Sequence, residues 1–253
     1  MAHAILITGA GTRVGKVLAK GLAKDGHSIA VHYNRSKVGA EALVNEITQS
    51  GGHAAAIGAN LFVPQDVNTL VKRSTEALGT PITGLINNAS TFAYDTALDM
   101  SGASYDYHMD VNLKAPLLLS QGLADLLPKE STGFIINMID QRVKKPNPTF
   151  FSYTVSKAAL DWATKTLAQS LAPNIRVNAI GPGPSLASIH QDEAVFQAEE
   201  KATLLQRGSP PETLLQAARY LVNAEAVTGQ LIAVDGGQHL TWQTPDIAVQ
   251  TKG

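Results

Sequence analysis

Short apolar runs alternate with longer amphipathic segments along almost the whole chain. Runs of this length and character are typical of buried strands. Seven of them predict strands at Ala4–Ile7, Ser28–Tyr33, Ala54–Ile57, Thr83–Asn87, Phe134–Met138, Arg176–Ile180 and Gln230–Val234.

The segments between the strands carry apolar residues at helical spacing. They predict helices at Val14–Lys24, Val38–Ser50, Val67–Leu78, Ala103–Leu126, Tyr153–Leu171 and Glu212–Leu221. Strands that are apolar on both faces belong to a parallel sheet covered by helices on either side. Right-handed crossovers then give an α/β, single-domain, doubly wound Rossmann fold with about seven parallel strands. Ligands of such a fold bind beyond the carboxyl ends of the strands.

The alternation breaks in two places. A long connection, Pro182–Pro211, carries only a weak helical pattern at Glu193–Leu205. Long connections beside the carboxyl edge of a sheet often form lids, so we expect a substrate lid at about 184–210, with a surface excursion as the alternative. We predict one reductase domain over residues 1–240. The tail at 241–253 either reaches a neighbouring subunit or has no fixed structure.

Composition narrows the possible function classes. A chain of 253 residues with 44% hydrophobic and 16% charged residues suits one globular α/β domain. A formal net charge of -1 gives no electrostatic bias toward nucleic acid or a membrane surface. Without cysteine there is no thiol catalysis, disulfide or thiolate metal site, and the seven histidines show no paired metal-ligand spacing. We expect a cytoplasmic protein without a signal peptide, a membrane span or a metal.

A glycine-rich segment, Thr8–Gly15, follows the first predicted strand and opens the first helix. Glycines at this junction let the backbone turn tightly and approach a pyrophosphate, whose charge then lies on the helix N-terminus. The alternative is a glycine-rich turn without a ligand. The candidate cofactor contacts in this segment are Gly9, Gly11, Arg13, Val14 and Gly15.

The end of the second strand indicates which dinucleotide binds. A site for NAD normally has an aspartate or glutamate there, whereas this chain has Arg35, with Arg13 close enough to join it. Guanidinium groups bind phosphate through charge-assisted hydrogen bonds. The pattern favours NADPH over NADH, unless both arginines are simply surface residues. Further candidate contacts in this strand end are Tyr33, Asn34 and Ser36.

Tyr153 and Lys157 are four residues apart on one predicted helix and therefore share a face. An ammonium group beside a phenol lowers the phenol pKa. Asp140 stands thirteen residues before Tyr153. An ionised Asp140 would oppose formation of the phenolate that alcohol oxidation needs, whereas a proton shared with Tyr153 could pass to a basic atom. Hydride addition to a C=N bond leaves a nitrogen that needs a proton, so this pair suits imine-type reduction.

The chain resembles the short-chain dehydrogenase/reductase family from Ala4 to Leu240. The resemblance rests on the longer spacing of the glycine loop, on Asn87-Asn88-Ala89-Ser90, on Tyr153 with Lys157, and on Pro182-Gly183 after the sixth strand. It implies that Tyr153 and Lys157 also contact the cofactor and that Asn112 supports a water-linked proton path to the lysine. The other cofactor contacts that it implies are Asn60, Leu61, Asn88, Ala89, Ser90, Pro182 and Gly183.

Two positions depart from the family pattern. Asp140 replaces a serine that usually hydrogen-bonds the substrate carbonyl. Asn60 replaces an aspartate that usually bonds the adenine amino group, so an acceptor is kept and the charge is lost.

Within this family the chain is similar to pteridine reductases and dihydromonapterin or dihydrofolate reductases. The matching segments are Thr12-Arg13, His32–Ser36, Asn88–Phe92, Asn137–Asp140 and Gly181–Gly183. The similarity implies an Asp140-Tyr153-Lys157 catalytic set and a pterin clamped between the nicotinamide and Phe92. It also implies a homotetramer. The substrate contacts that it implies are Arg13, Ser90, Phe92, Asp140 and Tyr153.

Three functions are consistent with these patterns. The leading hypothesis is an NADPH-dependent reductase of dihydrobiopterin or dihydromonapterin, with dihydrofolate as a further candidate. The alternative is a reductase of a small carbonyl compound such as a 3-oxoacyl thioester, a quinone or a ketone. The third is a non-catalytic NADPH-binding sensor, which the intact Tyr153–Lys157 pair argues against.

Overall fold

The computed structural model describes residues 2–187 and 192–244. Its centre is a sheet of seven parallel strands in the order β3-β2-β1-β4-β5-β6-β7. The strand order reverses between β1 and β4, which is where doubly wound folds bind their ligands. The predicted seven-stranded Rossmann fold is confirmed. The strands are β1 Ala4–Ile7, β2 Ser28–Tyr33, β3 Ala54–Gly58, β4 Gly84–Asn87, β5 Gly133–Met138, β6 Ile175–Pro182 and β7 Leu231–Val234.

Helices cover both faces of the sheet. One apolar core contains residues of α1, α2 and α8, and the other contains residues of α3, α5 and α6. The helices are α1 Arg13–Lys24, α2 Lys37–Gln49, α3 Pro64–Leu78, α4 Gly102–Met109, α5 Ala115–Leu126, α6 Phe151–Leu171, α7 Glu193–Lys201 and α8 Pro211–Asn223.

Strand β1 shows why these runs are apolar throughout. Ile5 and Ile7 enter the first core, whereas Ala4 and Leu6 enter the second. Successive side chains of a strand point to opposite faces, so a strand covered on both sides needs apolar residues at every position. A sheet built in this way leaves its polar chemistry to the loops at the carboxyl ends of the strands.

One predicted helix is interrupted. The pattern at Ala103–Leu126 indicated a single helix, but a π-helical stretch, Asp110–Lys114, separates α4 from α5. This stretch carries the buried Asn112. Insertions of this kind inside α-helices frequently mark functional sites.

The segment after β6 is held at its base. The Ser209 backbone N–H donates to the Pro184 carbonyl over 2.7 Å, and the Ser209 hydroxyl accepts from the Gly183 N–H over 3.0 Å. Helix α7 lies where a weak helical pattern is found and ends at Lys201. Residues 188–191 of the predicted lid and 245–253 of the predicted tail lie outside the described residues, and the lid itself stays a prediction.

Candidate functional site

A cleft of about 620 Å³ opens at the carboxyl ends of β1, β2 and β4. It brings together twelve of the predicted cofactor contacts: Gly9, Arg13, Val14, Gly15, Asn34, Arg35, Ser36, Asn60, Leu61, Asn88, Ala89 and Ser90. Sequence reasoning did not assign five other lining residues, which are Thr12, His32, Thr91, Tyr107 and Val111; Phe92, predicted as a substrate contact, lines the same cleft.

Other predicted cofactor contacts do not line this cleft. The Tyr33 ring packs over Gly58, where a Cβ atom would lie 3.1 Å from the Tyr33 Cζ. Gly11 packs closely against Ser36, and the Gly183 N–H donates to the Val234 carbonyl over 3.0 Å. The remaining members of this group are Tyr153, Lys157 and Pro182, so all six contacts stay predictions.

The glycine loop is bent by Gly9, whose φ of 65° is readily adopted only by glycine. The loop also packs against the residues that directly follow β4. A Cβ atom on Gly15 would lie 2.7 Å from the Asn88 Nδ2 and would overlap the Gly9 carbonyl. The Asn88 amide donates to the Thr8 carbonyl over 2.8 Å and closes this junction. The glycine loop from Gly9 to Gly15, called the glycine cradle, therefore has no room for a side chain at Gly15. A loop of bare backbone lets a pyrophosphate approach closely.

His32 fixes the glycine loop from beneath. Its Nδ1 accepts the Gly9 backbone N–H over 3.0 Å, and its Nε2 lies 3.1 Å from the Ala59 carbonyl. These partners select the neutral tautomer that is protonated on Nε2. Burial lowers the His32 pKa from 6.5 to about 4, so the ring stays neutral at physiological pH. A histidine inside an otherwise apolar strand is the only sequence signal for this role.

The two candidate phosphate-binding arginines are in different situations. Arg35 is exposed at the cleft after β2. Arg13, by contrast, donates to the Leu186 carbonyl over 3.2 Å and to the Ala187 carbonyl over 3.1 Å. Arg13 thus ties the glycine loop to the chain after β6, and its contact with a phosphate or a substrate stays a prediction.

The side-chain oxygen of Asn60 accepts a hydrogen bond from a nearby backbone group. Its Oδ1 accepts the Phe62 backbone N–H over 3.1 Å, and Asp66 accepts the Asn60 backbone N–H over 2.7 Å. Tyr107 lies across the cleft, with its ring edge-on to Phe62 at a centroid distance of 5.4 Å. An aromatic side chain therefore borders this end of the cleft, next to Leu61.

Asn112 holds the loop after β4. Its Oδ1 accepts from the Thr91 N–H over 2.8 Å and from the Ser90 hydroxyl over 3.1 Å. Its Nδ2 donates to the Thr91 carbonyl over 3.0 Å and to the Ser156 hydroxyl over 3.1 Å. These bonds satisfy the whole side-chain amide. Only the backbone groups of Asn112 are left for the predicted proton path to Lys157.

The predicted catalytic side chains meet at the end of β5. The Tyr153 hydroxyl donates to the Asp140 Oδ2 over 2.8 Å. The Lys157 ammonium donates to the Met138 carbonyl over 2.8 Å and lies 5.7 Å from the centre of the Tyr153 ring. Tyr153 and Lys157 are buried on the first turns of α6, and Asp140 also accepts the Arg142 N–H over 2.8 Å.

Burial sets the electrostatics of this group. It raises the Asp140 pKa, although hydrogen bonds from Arg142 and Tyr153 oppose that shift. Burial and then the nearby Asp140 raise the Tyr153 pKa well above its usual range. Burial lowers the Lys157 pKa from 10.5 to about 8, against the attraction of Asp140. Tyr153 is therefore a protonated phenol at neutral pH and can donate a proton.

Aromatic rings surround the predicted substrate clamp. Phe92 stacks on Phe150 with centroids 4.1 Å apart and an interplanar angle of 9°, and it meets the Tyr153 ring edge-on at 4.7 Å. The Arg142 guanidinium lies 5.0 Å from the centre of the Phe150 ring. Phe150 has a left-handed φ of 54°. Phe92 is 48% exposed, so much of its surface remains available to a ligand.

The chain beyond β7 packs beside this region. Lys145 donates to the Thr241 carbonyl over 2.9 Å and also contacts the Thr241 hydroxyl. Trp242 is half-exposed.

Within residues 2–187 and 192–244 no group of three or more His, Asp or Glu side chains could hold a metal ion. In the same ranges, no helix has both the length and the apolar character needed to cross a bilayer.

Comparison with solved structures gives two close matches. The crystal structure of FolM alternative dihydrofolate reductase 1 from Brucella suis in complex with NADP is 45% identical, with a TM-score of 0.94. The aligned region covers 97% of this chain and 98% of the Brucella suis chain. The same-named protein from Brucella canis, complexed with NADP, is 44% identical with a TM-score of 0.92, at 97% and 98% coverage. Both agree with the narrower similarity to dihydrofolate and pteridine reductases inferred above.

Sequence comparison points to the same family. A 3-oxoacyl-[acyl-carrier-protein] reductase of Synechocystis sp. is 32% identical over 240 residues, which are 93% of this chain and 96% of that protein. The short chain dehydrogenase family model matches residues 3–196. The chain therefore belongs to the short chain dehydrogenase family, as the glycine loop and the Tyr153–Lys157 pair predict.

Proposed function

We propose that this protein is an NADPH-dependent reductase that transfers hydride to a dihydropterin, with dihydrofolate as a further substrate of the same class. The observation that carries the proposal is the hydrogen bond from Tyr153 to Asp140, in place of the serine usual in the family. Family membership already makes the chain a short-chain oxidoreductase. The finer proposal concerns its cofactor and its substrate.

The cleft fits a phosphorylated dinucleotide. The glycine cradle has no room for a side chain at Gly15, so a pyrophosphate can approach its backbone. The exposed Arg35 lines the cleft and supplies the positive charge that a 2′-phosphate requires. Two close structural neighbours were crystallised with NADP, which supports the same choice. Val14, Ser36 and Asn88 would line the bound cofactor, together with Tyr153 and Lys157 at its nicotinamide end. When bound, NADPH supplies the hydride.

The substrate end of the cleft suits a flat heterocycle. Phe92 lines the cleft beside Ser90 and is held against Phe150, so it offers an oriented aromatic platform. Offset stacking on such a ring contributes roughly 0.5–1.5 kcal/mol beyond burial. The Arg142 guanidinium over the neighbouring Phe150 adds a positive charge near this platform. A dihydropterin ring meets these features better than an aliphatic thioester does.

The catalytic residues are arranged to donate a proton. The Tyr153 phenol is protonated because burial and Asp140 raise its pKa. In its protonated form, which burial favours, Asp140 can pass its own proton to the Tyr153 oxygen across their 2.8 Å contact after Tyr153 has donated to the substrate. Lys157 keeps a positive charge beside both groups and stabilises negative charge that develops during the transfer. The substrate nitrogen receives the proton while its C=N bond is reduced.

A carbonyl reductase is the second candidate, because the Synechocystis relative is a 3-oxoacyl-[acyl-carrier-protein] reductase. Tyr153 and Lys157 would serve that reaction as well. Asp140 speaks against it when ionised, because a carboxylate then repels the oxyanion that forms when a carbonyl is reduced. The aromatic platform at Phe92 also has no evident use with an aliphatic acyl chain.

The test is steady-state NADPH oxidation by the purified protein. The substrates are dihydrobiopterin, dihydromonapterin, dihydrofolate and an acetoacetyl thioester, with NADH as the cofactor control. Turnover of a pterin that Tyr153→Phe abolishes and Asp140→Ser strongly reduces would support the proposal. Turnover of the thioester alone, or a faster Asp140→Ser variant, would identify a carbonyl reductase. Cofactor binding without any turnover would support the sensor hypothesis.

A further inference from the structure

The catalytic helix begins against the loop that follows β4. This loop, residues 88–95, is called the clamp loop because it carries Phe92. Its last residue, Asp95, is 4% exposed although it has a carboxylate. A buried carboxylate requires hydrogen-bond donors, and one donor to Asp95 is the Ser152 N–H at the start of α6.

Asp95 satisfies the first two amides of α6. Its side-chain Oδ1 accepts the Ser152 N–H over 3.0 Å, and its backbone carbonyl accepts the Phe151 N–H over 3.1 Å. The first turn of a helix has N–H groups without partners inside the helix. Phe150, the residue that precedes α6, provides no side-chain cap of its own. The cap of the catalytic helix is therefore a residue 57 positions earlier in the chain.

The other end of the carboxylate is also bound. The Ser104 hydroxyl donates to the Asp95 Oδ2 over 3.3 Å. Burial by itself raises the Asp95 pKa, but the hydrogen bonds from Ser152 and Ser104 and the nearby His108 outweigh it and lower the pKa. Asp95 is therefore an anion at neutral pH, and an anion at a helix N-terminus is favoured by the helix dipole.

The rest of the clamp loop is held to other elements. The Thr8 hydroxyl accepts the Asn88 and Ala89 N–H groups, each over 2.9 Å. Asn112 holds Thr91, as described above, and the His108 Nε2 accepts the Ala93 N–H over 3.2 Å. Among these residues, Asp95 is the one whose hydrogen bonds join the clamp loop directly to the first turn of α6. It therefore relates the position of Phe92 to that of Tyr153.

We propose that Asp95 is a positioning residue whose carboxylate caps α6 and thereby sets the spacing between Phe92 on the clamp loop and Tyr153 on the helix. Tyr153 directly follows the capped Ser152. The Phe92 and Tyr153 rings are in direct edge-on contact, with their centroids 4.7 Å apart. The inference rests on the proposed function in so far as this contact fixes the Phe92 ring, which would stack on the substrate, relative to the Tyr153 hydroxyl, which would donate the proton.

The test compares three variants. Asp95→Ala removes both side-chain acceptors, whereas Asp95→Asn keeps an oxygen for the Ser152 N–H and can donate to Ser104. Ser101→Ala is the matched control, because Ser101 caps the nearby α4 through the Ser104 N–H and has no hydrogen bond to α6 within the described residues. For each variant, kcat and KM for the dihydropterin and the NADPH dissociation constant, from fluorescence titration, are measured.

Misplacement of reacting groups by about 1 Å can lower a rate about 100-fold. We expect Asp95→Ala to lower kcat by at least about tenfold while NADPH affinity stays within about twofold, because the cofactor cradle lies at Gly9 and Gly15. Asp95→Asn and Ser101→Ala are expected to retain most of kcat. An Asp95→Ala variant with normal kcat, an Asp95→Asn variant as slow as Asp95→Ala, or an equal loss in Ser101→Ala would overturn the proposal.

A second measurement does not depend on the substrate. If the wild-type protein reduces no dihydropterin, the proposed function fails but the role of Asp95 can still be tested in crystal structures of the variants. We expect the Phe92 and Tyr153 rings to move apart in Asp95→Ala and to keep their 4.7 Å spacing in Asp95→Asn. An unchanged spacing in Asp95→Ala would refute the positioning role.

Discussion

The Tyr153 hydroxyl donates its hydrogen bond to the Asp140 Oδ2, 2.8 Å away. Asp140 lies two residues after the end of β5, and Tyr153 lies in the first turn of α6. Each group affects the ionisation of the other, because a negative Asp140 opposes ionisation of the phenol. The pair is therefore suited to hold a proton for donation, which is what reduction of a C=N bond requires.

Removal of the Tyr153 hydroxyl should stop this donation. We expect Tyr153→Phe to lower kcat for the dihydropterin by about 100-fold or more, which is the range of general acid catalysis. NADPH binding, measured by fluorescence titration, should change little because the glycine cradle is untouched. Asp140→Asn should lose less rate than Tyr153→Phe, since the amide keeps an acceptor for the phenol. A Tyr153→Phe variant with wild-type kcat would contradict this assignment.

The pH dependence of the reaction rate should reflect the charge of the Lys157 side chain. Burial lowers its pKa from 10.5 to about 8. A group with a folded-state pKa near 8 loses its charge as the pH rises through that value, and the positive charge beside Tyr153 is lost with it. We expect kcat/KM, which reflects the free enzyme, to fall as the pH rises above about 8.

The control for this profile is Lys157→Arg, because a guanidinium stays charged throughout the accessible pH range. If Lys157 causes the alkaline decline, the decline should disappear from the variant even where its absolute rate is lower. A decline at the same pH in both proteins would assign the titration to another group.

Cofactor selectivity should depend on Arg35. A hydrogen bond to a charged group contributes about 1.5–3 kcal/mol, so loss of this guanidinium should lower kcat/KM for NADPH about 12- to 160-fold. We expect Arg35→Ala to leave kcat/KM for NADH nearly unchanged. The neighbouring Lys37→Ala is the control, because Lys37 is exposed and pairs with Glu41 at 3.7 Å. Equal losses with both cofactors would indicate a structural effect.

The aromatic platform should affect substrate binding. We expect Phe92→Leu, which keeps an apolar side chain and loses the flat ring, to raise KM for the dihydropterin by roughly 2- to 12-fold, equivalent to 0.5–1.5 kcal/mol of stacking. Leu98→Ala is a suitable control because Leu98 is 98% exposed. An unchanged KM in Phe92→Leu would remove Phe92 from the substrate site.

Acid should destabilise the fold through His32. Its pKa is about 4 in the folded chain and 6.5 when exposed, so the unfolded chain binds more protons between these values. The free energy of unfolding should therefore rise from pH about 4 to about 6.5 and level off above that, by up to about 3 kcal/mol for this residue. His3, whose pKa is also lowered to about 4 by burial, acts in the same direction.

Urea unfolding at a series of pH values measures this effect. His32→Asn should be less stable at neutral pH, because the support of Gly9 is altered, and its stability should depend less on pH. His53→Gln is the control, since His53 is exposed and contacts the Ser28 hydroxyl, not the glycine loop. A wild-type slope that survives in His32→Asn would assign the acid sensitivity to other groups.

Local patterns in the sequence were sufficient for the sheet and for much of the site. Each predicted strand agrees with an observed strand to within two residues at either end, because a strand buried on both faces needs an uninterrupted apolar run. The glycine cradle and the Tyr153–Lys157 pair were also predictable. Their geometry depends on a turn and on helical spacing, which are set within a few neighbouring residues.

Interactions between distant segments were not predictable in the same way. The π-helical stretch at Asp110–Lys114 turns Asn112 toward the clamp loop, whereas the amphipathic pattern indicated one continuous helix. Stacking of Phe92 on Phe150 depends on the left-handed backbone of Phe150. Neither feature has a local periodic signal.

Sequence patterns were enough to predict where the strands lie along the chain, the glycine loop and the candidate catalytic side chains. The contacts by which His32 supports Gly9 and Asp95 caps the helix that carries Tyr153 are visible in the folded chain alone. The physical reason is that both contacts satisfy backbone N–H groups at places where β-strand and helix hydrogen bonding ends. Which side chain fills such a place depends on how separate elements pack, and no local pattern encodes that arrangement.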